Sequence, residues 1–210
     1  PKCYEGIEGQ TIDISGGTID IVSSDDGLNA AGGADQSGFG GRGPDRFSGS
    51  SDSSIAISGG TLRIDASGDG IDSNGALTVS GGEIYVSGPT SDGDSAIDHD
   101  GSATVTGGTV IAAGYSGMAQ NFGTDSTQGS ILLTSRSTST ETIRVTDASG
   151  SVLAEFAPAK AYSCVIVSTP ALKQGGTYTV TMGGESTDVT LESLIYGTGG
   201  MGGQPGGGNM

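Results

Sequence analysis

The sequence predicts an all-β protein, a parallel β-helix of about five coils with a C-terminal antiparallel β cap or extension. The first observation is a Gly-Gly phrase between alternating apolar residues, which recurs at Gly16, Gly59, Gly81 and Gly107. The second is the spacing of the later phrases, 22 and 26 residues, which suits one coil of a β-solenoid. The third is the lack of helical periodicity along the 210 residues.

Each coil is predicted to contain three short strands. One strand precedes the Gly-Gly pair and one follows it, as in "TIDISGGTIDI" at 11–21, where the alternating apolar residues point inward. Gly-Gly makes the corner between them, because glycine adopts a positive φ at little cost. The third strand is the short segment seen as "GID" at 70–72. Its inward column, from which the five coils are counted, contains Ile7, Leu28, Ile71, Ile97 and Met118.

The remaining segments complete a division into three parts. The β-helix covers 1–127, and the segment 33–53 is predicted to be a loop insertion because it is rich in Gly and Ser and lacks apolar alternation. A further full coil in the first gap is the alternative. From 128 to 196 the pattern predicts antiparallel strands, with "DASG" at 147–150 as a hairpin turn. The segment 197–210 is predicted to be a Gly-rich flexible tail.

Composition limits the classes of partner. The net charge is −16, from 24 acidic and 8 basic residues, so nucleic acid is not an expected partner. No stretch has transmembrane length and no signal peptide is present, so membrane insertion is not expected. The chain starts at Pro1, which we interpret as a processed product or a fragment. Two cysteines are too few for a disulfide scaffold.

Acidic residues recur at equivalent places in the third strand. Because Ile71 points inward, Asp72 and Asn74 point outward, and Asp98 and Asp100 do the same one coil later. With coils ~4.8 Å apart, these four side chains form a square of oxygen-bearing groups. Ca²⁺ takes 6–8 oxygen ligands, so the pattern predicts calcium. A solvated acidic ladder of turn-forming residues is the alternative.

A second acidic column is predicted at the preceding corner. It contains Glu5, Asp26 and Asp69 and is joined by Asp94. His99, between two acids, is assigned a structural role. The full set of predicted metal ligands is Asp26, Asp69, Asp72, Asn74, Asp94, Asp98 and Asp100.

Several ordered motifs carry a family resemblance. They are "YEGIEG" at 4–9, "SDDGLNAAGG" at 24–33, "GDGIDSNG" at 68–75, "GPTSDGDSAIDHDG" at 88–101 and "SGMAQNF" at 116–122. Together they resemble a bacterial family of secreted carbohydrate-binding proteins, and the segment 156–180 is similar to that family's C-terminal part.

The resemblance covers most of the chain and implies a right-handed parallel β-helix like that of pectate lyases. It also implies bound calcium, an extracellular location (secreted or at the cell surface), and binding of cellulose or acidic pectic polysaccharide. Matched by motif, the calcium-rich face comprises Asp26, Asp69, Asp72, Asp98 and Asp100. The chain departs from the family in having almost nothing before "YEGIEG" and in having Cys3 there.

The first functional hypothesis is therefore a calcium-binding, non-catalytic polysaccharide-binding module. Tyr85 and Tyr115 are candidate platforms for sugar rings, as are Phe39 and Phe47, and each is equally well an ordinary core or surface aromatic. The basic residues of the long loop, Arg42 and Arg46, complete the predicted substrate-binding set.

Three other hypotheses stay open. A pectate-lyase-like enzyme would need Lys or Arg as a base near the metal, and no well-placed base is evident among Lys2, Arg42, Arg46 and Arg63. A structural, filament-forming solenoid is another. Ice binding ranks last, because Glu83 interrupts the aligned column of threonines.

The two cysteines bear on the filament. Cys3 belongs to the first coil and Cys164 lies beyond the last, so unless the C-terminal strands fold back an intrachain disulfide is disfavoured. A head-to-tail homo-oligomer that covers the open first coil could join Cys164 of one molecule to Cys3 of the next. Two unpaired thiols are the alternative.

Overall fold

The computed structural model describes residues 2–31 and 52–199, which form strands and their connections. The prediction of an all-β fold is confirmed. No helix in these two ranges is long and apolar enough to cross a membrane. In chain order the strands are β1 (Ile7–Glu8), β2 (Thr11–Val22), β3 (Leu28–Ala30), β4 (Ser54–Asp65), β5 (Ile71–Ser73), β6 (Ala76–Ser87), β7 (Asp98–His99), β8 (Ala103–Gly114), β9 (Ser130–Ser139), β10 (Ile143–Asp147), β11 (Val152–Phe156), β12 (Tyr162–Ser168), β13 (Thr177–Met182), β14 (Glu185–Thr190) and β15 (Ile195–Tyr196).

The N-terminal part alternates between two parallel sheets. Each short strand, β1, β3, β5 or β7, is followed by a long strand, β2, β4, β6 or β8, and we call each such pair a repeat. Short strands pair with short strands and long strands with long strands. The register keeps like residues together, so that Ile57 pairs with Ile14 on one side and with Val79 on the other. Stacked apolar side chains of this kind form the core between the two sheets.

The Gly-Gly pairs bend a strand without ending it. Each lies inside one continuous strand of 12 residues, and the sequence-based division into two strands with a corner is wrong. The pairing shifts at Gly-Gly and resumes at the residue after it, where Thr18 pairs with Thr61. The second glycine adopts a positive φ in every repeat, which other residues rarely do. These glycines are Gly17 (87°), Gly60 (92°), Gly82 (91°) and Gly108 (83°).

The long first gap adds no strand between the repeats. β2 pairs directly with β4, and β3 pairs directly with β5. The alternative of a further coil in this gap is therefore wrong. The predicted loop at 33–53 lies outside the described residues except for its last two positions.

Each parallel sheet region contains four strands, and the fifth element predicted at Met118 is not one of them. Met118 is half-buried and lies in no strand, whereas its neighbours Ala119 and Phe122 enter the core. The physical reason is that a fifth repeat would need a parallel long strand beside β8. That edge of β8 is already paired with β12, in antiparallel orientation, from Val110 to Gly114.

The C-terminal part both extends one sheet and forms another. Strands β12, β9 and β15 continue the sheet of long strands, whose order is β15-β9-β12-β8-β6-β4-β2. Strands β11, β10, β13 and β14 form an antiparallel sheet that packs on its outer face through a second apolar cluster. The hairpin turn at 147–150 is confirmed, with Gly150 at a φ of 85°.

Two segments differ from their predicted state. Gly197 accepts a hydrogen bond from the Asn121 side chain at 2.7 Å, and Gly199 forms a β-bridge with Gln120, so the start of the predicted flexible tail is held in place. Cys164 is 2% exposed in a strand with neighbours on both sides, and its thiol is free. A disulfide from Cys164 to Cys3 of another molecule would require β12 to leave its sheet, and the head-to-tail homo-oligomer stays a prediction.

Candidate functional site

The turn before each short strand stacks one polar residue on the next. Backbone hydrogen bonds run from Gly6 N to Asp26 O, from Gly27 N to Asp69 O and from Gly70 N to Ser95 O, at 2.9–3.0 Å. The stacked positions are therefore Glu5, Asp26, Asp69 and Ser95, in four successive repeats. The predicted column of Glu5, Asp26 and Asp69 is present, and Ser95 rather than Asp94 holds its fourth place.

Three carboxylates converge at this column. Asp26, Asp69 and Asp72, which we call the acidic triad, each place an oxygen within 4.8 Å of the other two, and all three are half-buried. Asp26 Oδ1 accepts a hydrogen bond of 2.7 Å from the amide of Asp69. Asp69 Oδ1 accepts one from the amide of Ser95. These bonds fix one oxygen of each carboxylate on the neighbouring repeat.

A glycine makes room for the triad. A Cβ at Gly68 would collide with the carboxylate oxygens of Asp25 and Asp26, because the backbone of one repeat passes directly over the side chains of the previous one. A larger residue at 68 would displace the Asp26 carboxylate. In the phrase "SGDG" at 67–70, Gly68 thus leaves space for the Asp26 carboxylate, and the next residue, Asp69, supplies another carboxylate of the triad.

Burial and mutual repulsion make ionisation of the triad costly. Burial raises the pKa of Asp26 to about 9, and the charges of Asp69, Glu5 and Asp72 add to the effect. Burial likewise raises the pKa of Asp69 to about 8, with contributions from Asp98, Asp72 and Asp94, against the hydrogen bond from Ser95. A divalent cation would favour the ionised forms and offset this repulsion. The arrangement fits a hard cation with oxygen ligands.

The other predicted column is in register but does not converge in the same way. Asp72 pairs with Asn29 on one side and with Asp98 on the other. Asp98 Oδ1 accepts hydrogen bonds from its neighbour's amide at 2.8 Å and from the Gln120 side chain. Burial raises the pKa of Asp98. Within residues 2–31 and 52–199 the only converging group of three acids is the triad. The Asp72 carboxylate therefore lies with Asp26 and Asp69 rather than with Asp98 and Asp100 as predicted.

The remaining predicted ligands are not part of the converging group. Asp100 is exposed, and Asn74 is half-buried, with its backbone N–H donating to Ala30 O at 3.2 Å. Asp94 accepts a hydrogen bond from Ser91 Oγ. His99 places its ring nitrogens 2.9 Å from Gly101 O and 3.3 Å from Asn121 O, which agrees with the structural role assigned to it.

The predicted sugar-binding residues have different surroundings. Tyr85 is half-buried, with its ring centroid 5.3 Å from that of Phe156 and the Arg63 guanidinium 5.8 Å from it. It therefore packs at the interface with the antiparallel sheet. Arg42 and Arg46, together with the candidate aromatics Phe39 and Phe47, lie outside the described residues.

Tyr115 lines a groove that sequence reasoning missed. The groove has a volume of about 980 Å³ and runs along β9, with Tyr196, Arg136 and Glu185 also in its lining. Asn121 fixes one wall by donating a hydrogen bond to Tyr196 O of β15, and their separation of 75 positions hides this pairing from any local pattern. The motif "SGMAQNF" marks the first side of the groove but not the second.

Lys160 was also missed. It lies between β11 and β12 and forms a 2.8 Å ion pair with Asp65, and it also donates to Ala66 O. Asp65 ends a long strand four residues before Asp69. Lys160 thus fastens the C-terminal part to the chain that leads into the triad.

Comparisons of the chain with protein-family models, with curated proteins and with solved structures found no match.

Proposed function

We propose that this protein is a calcium-binding, non-catalytic module that binds polysaccharide outside the cell, either secreted or at the cell surface. The observation that carries the proposal is the acidic triad. Three half-buried carboxylates with converging oxygens, of which Asp26 and Asp69 have raised pKa values, are a costly arrangement unless a cation binds them.

The proposal includes the finer fold, a right-handed parallel β-helix. It is supported by the alternation of the chain between two parallel sheets and by the pairing of like residues on both sides of each Gly-Gly. Parallel strands joined by crossovers are right-handed in nearly all proteins. Stacking of this kind brings the equivalent turns of successive repeats next to one another, so Asp26 lies beside Asp69.

Calcium is the cation that suits the site. All candidate ligands are oxygens, and Ca²⁺ accepts 6–8 of them at 2.3–2.6 Å in flexible geometry. The triad supplies three carboxylates, and Asp94 and Asp98, whose charges act on Asp69, are candidates for further or water-bridged ligands. Tight octahedral geometry, as Mg²⁺ requires, is less suited to side chains that project from three different positions of two repeats.

The polysaccharide part is supported by the family resemblance of the motifs and by the groove beside Tyr115. A lyase needs a base free to remove a proton. Arg63, on strand β4, lies 3.9 Å from Asp20 and packs on the face of the Tyr85 ring. Lys160, in the C-terminal part, forms an ion pair with Asp65. These contacts favour binding over catalysis.

The test measures metal, binding and product in one preparation of the full chain. Equilibrium dialysis against Ca²⁺ with elemental analysis should find bound calcium that Asp69→Asn reduces. The protein should be retained on cellulose or on polygalacturonate gel, and incubation with polygalacturonate and calcium should yield no unsaturated product absorbing in the ultraviolet. Steady product formation would instead establish the lyase, and filaments at high concentration without polysaccharide binding would establish the structural alternative.

A further inference from the structure

The groove beside Tyr115 follows an edge of the sheet of long strands rather than one of its faces. Every residue of β9 from 132 to 138 lines it. Successive side chains of a strand point to opposite faces of a sheet, so a groove on one face would be lined by every second residue only. Consecutive lining residues therefore indicate that the groove runs along the backbone of β9, and we call it the β9 groove.

The two walls of the β9 groove belong to opposite faces of that sheet. Ala119 and Leu132 are part of the apolar core between the parallel sheets. Met182 and Leu133 belong to the second apolar cluster, which joins the outer face to the antiparallel sheet. All four residues line the groove, so an occupant lies between the two layers with one side toward each cluster. The volume of about 980 Å³ lies at the upper end of the range for binding pockets.

The edge of β9 in the groove has a strand partner at only two of its ten residues. β15 pairs there with the first two residues of β9, while β12 occupies the opposite edge. Ser130 N donates to Leu194 O at 2.8 Å, so the period of two turns the N–H of Thr134 to the same side. After β15 the chain departs, because Gly199 forms its bridge with Gln120. Among the residues that the structure describes, no strand pairs with this edge from 132 to 139.

The walls of the groove are held in place by the protein itself. Asn121 is 6% exposed, and its Nδ2 donates to Tyr196 O at 2.9 Å and to Gly197 O at 2.7 Å. On the loop that carries Tyr115, Gly117 N donates to Asp92 Oδ1 at 3.0 Å. An occupant therefore meets a site that is already formed, and binding loses little conformational entropy.

The backbone of β9 selects the class of occupant. A strand edge offers N–H and C=O groups in a regular row, and an extended polypeptide supplies the complementary groups at the same spacing. Such an occupant would continue along the edge that β15 already uses. Charge adds a preference, because Asp92 and Glu185 outnumber Arg136 in the lining and the chain has a net charge of −16. Basic residues in the occupant are therefore favoured.

We propose that the β9 groove binds an extended segment of another polypeptide, composed of small apolar and basic residues, which adds to the sheet as a strand beside β9. The inference goes beyond the proposed function, because it gives the protein a polypeptide partner at a site that contains none of the triad residues. Backbone hydrogen bonds carry the recognition. Apolar side chains of the partner enter between the two clusters, and its basic side chains are attracted by Asp92 and Glu185.

The experiment titrates the full chain into fluorescent peptides of sequence Lys-Val-Thr-Val-Lys-Val, capped at both ends, and follows fluorescence anisotropy. One peptide is unmodified, one is methylated on the backbone nitrogens of its odd residues and one on those of its even residues. A strand turns alternate N–H groups to its two sides, so only one methylated peptide loses the donors that face β9. We expect that peptide to bind about tenfold weaker or less tightly still, and the other to bind as the unmodified peptide does.

A pair of variants at one position tests the protein side of the contact. Thr134→Pro removes an N–H that faces the groove and leaves the opposite edge of β9, where Thr134 pairs with Cys164 of β12, with its donors. Thr134→Val is the matched control, because it keeps the N–H and removes only the side-chain hydroxyl. The proline variant should bind the unmodified peptide about tenfold weaker, whereas the valine variant should bind it as the parent does. Thermal unfolding checks that both variants are folded.

Four outcomes would overturn the proposal. The first is that the unmodified peptide does not bind, and the second is that both methylated peptides bind alike, since recognition would then not involve the backbone. The third is binding only by a chain that ends at Gly199, which would assign the edge to residues 200–210 of the protein itself. The fourth is a dimer, seen by analytical ultracentrifugation, that the peptide dissociates, which would assign the edge to a second copy. Retention on polysaccharide, measured separately, tests the proposed function and does not depend on these results.

Discussion

The Oδ1 atom of Asp26 lies 2.7 Å from the backbone nitrogen of Asp69, the residue that occupies the same place in the next repeat. Asp69 repeats the contact with the amide of Ser95. Each carboxylate is thus tied to the following repeat by a hydrogen bond that favours its charged form. The pKa values of both are nevertheless raised, because burial outweighs the hydrogen bond.

We expect the metal-free protein to lose stability as the pH rises. In the unfolded chain both carboxyls titrate near 3.8, whereas folding raises the pKa of Asp26 to about 9 and that of Asp69 to about 8. Between about pH 4 and pH 9 the folded state therefore holds more protons than the unfolded state, and the free energy of unfolding falls with pH. The Tm in chelator should decrease across this window, and less steeply for Asp26→Asn. A Tm of the parent that rises from pH 5 to pH 8 in chelator would contradict the assignment.

Calcium should reverse this loss. A ligand that binds only the folded state stabilises it by about 2.7 kcal/mol at a hundred times its Kd, or roughly 5–10 °C in Tm for a chain of this size. Differential scanning calorimetry at pH 7.5 should show this rise for the parent and little of it for Asp69→Asn. Asp20→Asn is the control, since Asp20 lies on an exposed part of β2 away from the triad. An equal calcium response in all three proteins would place the metal elsewhere.

Gly68→Ala should weaken calcium binding without removing a ligand. The new methyl group would displace the Asp26 carboxylate, and the strain would also lower the Tm of the metal-free protein. Gly16→Ala is a matched control, because a Cβ at Gly16 has no atom within 4 Å. Isothermal titration calorimetry should give a calcium Kd at least several-fold weaker for Gly68→Ala alone. Unchanged affinity in both variants would show that the Asp26 carboxylate is not a ligand.

The two thiols should differ sharply in reactivity. Cys3 is exposed, whereas Cys164 is buried and burial raises the pKa of its thiol to about 12. A thiol reagent should therefore modify one cysteine per chain in native protein and two in denaturant, as read by mass spectrometry. Cys3→Ser should abolish the native reaction. Rapid native labelling of Cys164 would mean that β12 leaves its sheet readily.

Asn121→Ala should destabilise the protein more than its size suggests. The change removes four hydrogen bonds and leaves buried groups such as Phe122 N without their partner. Each unsatisfied buried group costs about 1–3 kcal/mol, so the Tm should fall by well over 5 °C. Asn29→Ala offers a comparison at another buried asparagine, at the triad end of the fold. Hydrogen exchange of Tyr196 and Gly197 should accelerate in Asn121→Ala only.

Local repetition made the parallel part of the fold predictable. The Gly-Gly phrases fixed which residues stack, and Ile57 pairs with Val79 as their alignment requires. The prediction erred at Met118, because the pairing of β8 with β12 depends on residues about 50 positions apart. Alternation also assigns a side chain to a face but not to a direction along it. Alternation therefore predicts Asp72 beside Asp98, whereas its carboxylate converges with Asp26 and Asp69.

The direct pairing of β2 with β4 has a practical consequence. Gly16 and Gly59 are 43 residues apart, whereas Gly59 and Gly81 are 22 apart. The pairing of β2 with β4 nevertheless matches equivalent residues in the same way as the pairing of β4 with β6. The connection from a short strand to the following long strand therefore accepts a change of length without a change of register. The equivalent connection from Ser73 to Ala76 is a graft position, where a foreign peptide could be displayed while the strands on either side keep their partners.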